Sequence, residues 1–495
     1  MFHRVRAALA LAAAIGGAAL PALGQVAPVE SGSTGYADLA EAWVAHGGVA
    51  GIGAPDLIIS ETSTPIRWGT IDGVTSYSFS ISTCNIGDGV ALVRDTSSFR
   101  PVSVQNLYRL SDGRLEQLGM SWAFHQFCAL NTARCGTCEA PCPTTCCDLG
   151  IGCASPDSAS AMGSHFRLAK RSEINAFTSE FSYPPASMSS SGNVLFKRLQ
   201  VSNADLDPAL NPGAQYFVEH VVASRDEAAA GHGLNNASHG RVLVGSFSNG
   251  GYNLTVPATA VTNAPAIQAW RDHGLGPGQP DASVQIATVD VPGEGRFYVG
   301  AKATQLNAAM WQYQYAVFNL NSHRSAREFR VPLGADVVAA DVGFHDVAYH
   351  SGETYSGADW TSGVASGVLT WATETFAQNA DANALRWGTL YNFRFHANAA
   401  PADGPVTLGL FRPGTPGEVS AVLARPGAVT FAAGDLNCDG VVNNFDIDPF
   451  VQALTDPPGY AAEYPGCSIA LGDVNGDGAV NNFDIDAFVV LLTGP

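Results

Sequence analysis

The chain has 495 residues, too many for a single hydrophobic core, with 46% apolar and only 14% charged residues. A formal charge of −19 excludes a nucleic-acid binder that works by neutralising phosphates. With 53 glycines and 28 prolines, the composition favours many short strands joined by turns over helices with charged faces.

The first segment to read is the N-terminus. Arg4 and Arg6 precede an apolar Ala/Leu run, and the small residues Ala22 and Gly24 stand at −3 and −1 of a cut before Gln25. The pattern predicts a signal peptide over 1–24 and hence a protein that is secreted and extracellular, either free or held at the cell surface. The run is too short and too broken by Gly and Pro to span a bilayer, and no second stretch of about 18 apolar residues follows, so the mature chain is expected to lack a transmembrane segment. Residues 25–51 read as a linker with one short helix, Tyr36–Gly48, closed by glycine.

From residue 52 to 190 the pattern becomes β-like and cysteine-rich. SYSFSIST alternates, with Tyr77, Phe79 and Ile81 on one face. Cys84 and the seven cysteines from Cys128 to Cys153 permit 105 pairings in four bridges. Cys135-x-x-Cys138 has zinc-ligand spacing, but such crowding in an exported chain favours disulfides. Adjacent Cys146 and Cys147 cannot easily pair with each other, so each is expected to bridge elsewhere.

Residues 191–424 read as a second β domain, a sandwich or jelly roll. RVLVGSF, SVQIATVDV, RFYVGAKA, WQYQYAVFNL, GVLTWAT, TLYNFRFHA and VTLGLF are separated by turn residues. In TLYNFRFHA, Tyr391, Phe393 and Phe395 share one face and Asn392, Arg394 and His396 the other, as in a half-buried antiparallel strand. Ser224 with Glu227 predicts a capping box opening one helical turn that Gly231 stops. Two candidate sites lie here. His345, Asp346, His350 and Glu353 could form a metal or acid–base site, although on one strand His345 and His350 have opposite parity. Trp311, Tyr313 and Tyr315 form an aromatic strip that could stack on a polysaccharide, or could be core. No GxSxG, HExxH, P-loop or GxGxxG element appears in a supporting context.

After a linker at 425–433, residues 434–495 contain the same pattern twice. GDLNCDGVVNNFDID and GDVNGDGAVNNFDID begin 38 positions apart, at Gly434 and Gly472. Counting from Asp435, side-chain oxygens fall at loop positions 1, 3, 5, 9 and 12 as Asp435, Asn437, Asp439, Asn443 and Asp446, with Gly440 at 6 and the Val441 carbonyl at 7. These are the positions with which a twelve-residue EF-hand loop wraps Ca²⁺. The second loop repeats them with Asp473, Asn475, Asp477, Ala479, Asn481 and Asp484. Position 12 is Asp rather than Glu, so each loop must close further for bidentate contact. An apolar helix is expected after each loop and none before. The last 61 residues hold ten Asp/Glu and no Lys or Arg, as a pair of cation sites would.

A loop followed by one helix, twice, resembles the type I dockerin family. The resemblance implies two calcium ions, a near-twofold pair of loop–helix units, and docking onto a cohesin-like protein module. Where cellulosomal dockerins often have Ser/Thr at loop positions 10 and 11, this chain has Asn444-Phe445 and Asn482-Phe483, the expected partner-binding residues. Cys438 and Cys467 are additional to that pattern, and the tail is similar to the GC-type dockerins of secreted planctomycete proteins. A bridge between these two cysteines would close a loop of about 30 residues and contribute about 3.5 kcal/mol by chain-entropy reasoning. Asn106–Phe127 resembles segments of the same secreted chains and supplies no catalytic residues.

Two functions follow as expectations. The first is a secreted calcium-binding protein with non-catalytic β domains that assembles through its tail. The alternative is a dockerin-anchored polysaccharide hydrolase, for which two of Glu219, Asp226, Glu353 and Asp359 would have to face each other across a cleft.

Overall fold

The computed structural model describes residues 53–493 except 64, 144–145, 308, 335, 429–430 and 465–466. The expected signal peptide and the Tyr36–Gly48 helix lie outside the described residues. The chain is mainly β, and its sheets are antiparallel throughout the described residues.

Strand parity explains how the sheets stack, because successive side chains point to opposite faces. One five-stranded sheet runs in the order Gln285–Val291, Gly295–Asn307, Met310–Asn319, Thr389–Ala397, Ala339–His345. A second runs Thr361–Ala365, Val368–Ala372, Ala326–Pro332, Pro401–Leu410, Glu418–Pro426. Phe297, Val299, Tyr313, Tyr315, Val317, Phe393 and Phe395 of the first share one core with Phe329, Val331, Leu369, Trp371, Leu408 and Leu423 of the second. The intervening residues of the first sheet, Tyr298, Ala316, Phe318 and Leu390, enter a different core with Val104, Tyr108, Leu115, Phe217, Val221 and Trp270. The first sheet is therefore covered on both faces.

Its second cover is a seven-stranded sheet. The path runs Gly251–Thr255, Ala237–Ser248, Gln215–Ala223, Val102–Ser111, Ala123–His125, Leu168–Ala169, with Arg114–Met120 also paired to Val102–Ser111. The expected division at 190/191 is crossed here, since Val102–Ser111 pairs with Gln215–Ala223 from Val102↔Ala223 to Leu110↔Gln215. The other face of this sheet, through Leu107, Tyr216, Val218 and Val242, meets Tyr77, Phe79, Leu199 and Val201.

Several local expectations need correction. SYSFSIST is not one strand: Val74–Ser78 and Ile81–Asn85 belong to different three-stranded sheets, although Tyr77, Phe79 and Ile81 are all buried. A helix, Ile267–Asp272, interrupts the all-strand stretch and buries Trp270. The helix Arg225–Ala230 starts at Ser224 and ends on left-handed Gly231, but Ser224 makes no capping bond. Its hydroxyl donates to Asp226, and Glu227 is drawn away to the Leu57 N–H.

All ten cysteines are bridged: Cys84–Cys135, Cys128–Cys146, Cys138–Cys153, Cys142–Cys147 and Cys438–Cys467. Cys146 and Cys147 go to separate partners, and Cys135 and Cys138 to separate partners, so the zinc spacing is coincidental. These bridges fit an extracellular protein. No described helix is long and apolar enough to cross a membrane.

Candidate metal centre

The two tail loops have nearly the same backbone. Gly440 and Gly478 take φ of 89° and 90° at position 6, in the left-handed region that favours glycine. Asn443 and Asn481 take φ of −154° and −155°, and each accepts from the N–H two residues on, opening a short 3₁₀ turn (Asn444–Asp446, Asn482–Asp484) that runs into a helix, Ile447–Thr455 or Ile485–Thr493. At position 4 the loops differ. Cys438 is left-handed at φ 55° where the second loop has Gly476 at 75°.

Each position-12 aspartate ties its loop closed. Asp446 Oδ1 accepts from Leu436 N at 2.9 Å and Asn437 N at 3.0 Å, and its Oδ2 from Asn443 N at 2.9 Å. Asp484 does the same with Val474 at 2.8 Å, Asn475 at 3.1 Å and Asn481 at 2.9 Å. A carboxylate has about four acceptor positions, so one on Oδ2 is left for a cation in each loop.

Position 1 separates the two loops. Asp435 is 1% exposed, its Oδ2 accepts from Gly440 N at 3.0 Å, and its Oδ1 is buried without a hydrogen-bond partner. Burial, reinforced by the charges of Asp446 and Asp439, pushes its carboxyl above the usual aspartate range. In the second loop both Asp473 oxygens accept N–H groups, from Asp477 at 3.0 Å and Gly478 at 2.8 Å. An orphaned carboxylate oxygen beside two further carboxylates is a donor set that fits a hard, oxygen-seeking cation such as Ca²⁺. Among the described residues no group of three or more His, Cys, Asp or Glu alone is gathered as a metal cluster. The tail loops instead mix Asp with Asn and backbone carbonyls.

The tail has its own small core of Leu436, Phe450, Ala453, Tyr460 and Phe488. Tyr460 was not singled out in the sequence, yet its hydroxyl donates to the Leu436 carbonyl at 2.9 Å, directly under the first loop. It stands on a helix, Pro457–Glu463, that precedes the second loop, contrary to expectation. The signal was available: Asp456 caps that helix and Pro457 opens it. Phe445 and Phe483, the expected partner residues, are 71% and 73% exposed, and Asn444 and Asn482 beside them are exposed too.

The other candidates do not come together. Glu219 is fully buried and accepts from Asn106, Tyr108 and Ala266 at 3.0, 2.7 and 2.6 Å, and buried Asp226 accepts from Leu92 N at 2.6 Å. Glu353 is held by the Arg171 N–H and the Ser172 hydroxyl, and Asp359 is exposed. His345 is exposed at a strand end, Asp346 takes the Asn383 amide, and His350 donates to the Met120 carbonyl at 2.8 Å. Tyr313 and Tyr315 are 0% and 1% exposed inside the core, leaving only half-buried Trp311 of the strip near a surface.

No protein-family model matches the chain, and no curated protein is similar to it.

Proposed function

We propose that this chain is an exported, non-catalytic calcium-binding protein that attaches to an extracellular or cell-surface assembly through its C-terminal loop–helix pair. The observation that carries the reading is Asp435, whose buried, unpartnered carboxylate oxygen sits among like charges in a loop with EF-hand spacing. Two calcium ions, one per loop, would offset this repulsion. Asp435, Asn437, Asp439, the Val441 carbonyl, Asn443 and Asp446 would hold one; Asp473, Asn475, Asp477, the Ala479 carbonyl, Asn481 and Asp484 would hold the other.

The partner surface in this reading is built around Phe445 and Phe483, with exposed Val451 and Val489 on the helices behind them. Large apolar side chains so exposed are characteristic of a protein-docking site, and a cohesin-like module is the partner the dockerin-like pattern suggests. The hydrolase alternative gains no support from Glu219 and Asp226, which are sealed in the interior.

Calorimetry on the full chain tests the reading. Ca²⁺ should bind with a stoichiometry of two and raise the melting temperature of the tail transition over that in chelator, and Asp435→Ala should remove one of the two binding events. Identical melting with Ca²⁺ and with chelator would exclude it.

A further inference from the structure

A two-chambered cleft opens between the helix Arg225–Ala230 and the turn 292–294 that joins two strands of the first five-stranded sheet. The outer chamber has a volume of about 230 Å³ and is walled by Phe177, Leu234, Val291 and Pro292. The inner chamber, about 10 Å³, is lined by Ser224, Glu227, Asn236 and Trp387. Phe177, Ala228, Gly233 and Asn321 line both, so the two adjoin. The outer space suits a body of about one ring, and the inner one a single water-sized group.

Asn236, which lines the inner chamber, carries an unmet acceptor. Asn236 is 2% exposed; its Nδ2 donates to the Val222 carbonyl at 3.1 Å and to Glu227 Oε2 at 2.7 Å, which fixes the amide's orientation. Its Oδ1 is then left buried with no partner. At the mouth Asp290 pairs with Arg296 at 2.7 Å, and the Glu294 oxygens accept from Ser322 Oγ at 2.5 Å and Arg324 N at 2.8 Å. Burial holds the Glu227 carboxyl well above its usual range, and its two oxygens are already taken by Leu57 N and Asn236 Nδ2.

We propose that this cleft binds a small uncharged molecule whose apolar body of about one ring fills the outer chamber and whose leading O–H or N–H donates to Asn236 Oδ1. A carboxylate ligand would meet an acceptor with nothing to offer it. An apolar ring lacking a donor would leave the amide oxygen unpaired. The inference is independent of the tail and its metal.

The test uses the full chain and three probes: phenol, its methyl ether anisole, and benzoate. Titration calorimetry should give saturable one-to-one binding of phenol, with anisole weaker by about tenfold or more and no benzoate binding. Gly233 is a suitable blocking position, because a Cβ there meets only Asn321 Nδ2, at 3.8 Å. Gly233→Leu should abolish phenol binding while leaving the unliganded melting temperature near that of the parent. The proposal is overturned if phenol shows no saturable binding, if anisole or benzoate binds as tightly as phenol, or if a folded Gly233→Leu binds phenol unchanged. The phenol–anisole comparison needs no substitution and decides the matter even if that variant does not fold.

Discussion

The rings of Phe450 and Phe488 stack with centroids 4.2 Å apart and planes 18° from parallel. Each stands four residues after the last aspartate of its loop, so equivalent residues of the two repeats meet. Both are 3% exposed in the centre of the tail's core. Phe488→Ala should therefore destabilise the tail by about 3–5 kcal/mol, and should weaken Ca²⁺ binding at both loops. Scanning calorimetry of the full chain, with and without Ca²⁺, would register a lowered tail transition with the transition of the β sheets unmoved.

Asp435 sets an opposing pH dependence with and without metal. Its folded carboxyl keeps its proton to higher pH than an unfolded one, because burial and neighbouring carboxylates disfavour the charge. Without metal the folded tail thus binds more protons than the unfolded tail, and loses stability as pH rises through and above the ordinary aspartate range. Asp435→Asn should raise metal-free stability at pH 7 while weakening Ca²⁺ binding at the first loop, on the order of tenfold or more. Paired melts at pH 4 and pH 7, in chelator and in Ca²⁺, measure both effects.

The Cys438–Cys467 bridge closes 29 residues and anchors the left-handed position of the first loop. Replacing both cysteines with Ala should cost about 3.5 kcal/mol by loop-closure reasoning. The pair Cys438→Gly with Cys467→Ala should recover roughly 1 kcal/mol, since glycine tolerates positive φ as Gly476 does in the second loop. Chemical denaturation of the three proteins ranks them.

Asp157 gives a second pH signature, in the disulfide-rich region. It is 5% exposed, accepts from Gln126 Nε2 at 3.0 Å, and burial pushes its carboxyl up to about 7. Stability is full below the ordinary aspartate value and is lost as pH rises toward about 7, after which this group contributes no further slope. Asp157→Asn should stabilise by roughly 2–4 kcal/mol at pH 8 and by little at pH 4. Melting curves across pH 4–8 would show the flattened slope.

Lys197 is fully buried, and its ammonium donates to the carbonyls of His165, Ser187, Met188 and Ser190 at 3.0, 2.7, 3.2 and 2.7 Å. Lys197→Met would leave those carbonyls without their donor at a cost of about 3 kcal/mol. The 187–190 turn should then be cleaved faster by limited proteolysis.

The sequence made the strands and loops legible where the pattern is local. TLYNFRFHA forms the strand Thr389–Ala397, and Tyr391, Phe393 and Phe395 face the core as their parity requires. Its other face was only half readable. Arg394 is exposed, but Asn392 is buried and donates to the Leu115 carbonyl at 2.8 Å, because a strand 277 residues earlier lies across it. Periodicity contains no information about such a cover. The Ser224/Glu227 motif failed for a similar reason, since distant Leu57, together with Asn236 beyond the helix, takes the Glu227 carboxyl that the helix end would have used. The tail's spacing located the two repeated loops, whereas the orphaned oxygen of Asp435 and the support from Tyr460 emerge only from packing.

The long ladder between Val102–Ser111 and Gln215–Ala223 also governs how this molecule can be born. About a hundred residues must emerge after the first strand before its partner is made, so the central seam closes late and the nascent segment waits with an open hydrogen-bonding edge. Any fragment ending near residue 190 inherits that raw edge permanently, and should clump rather than fold.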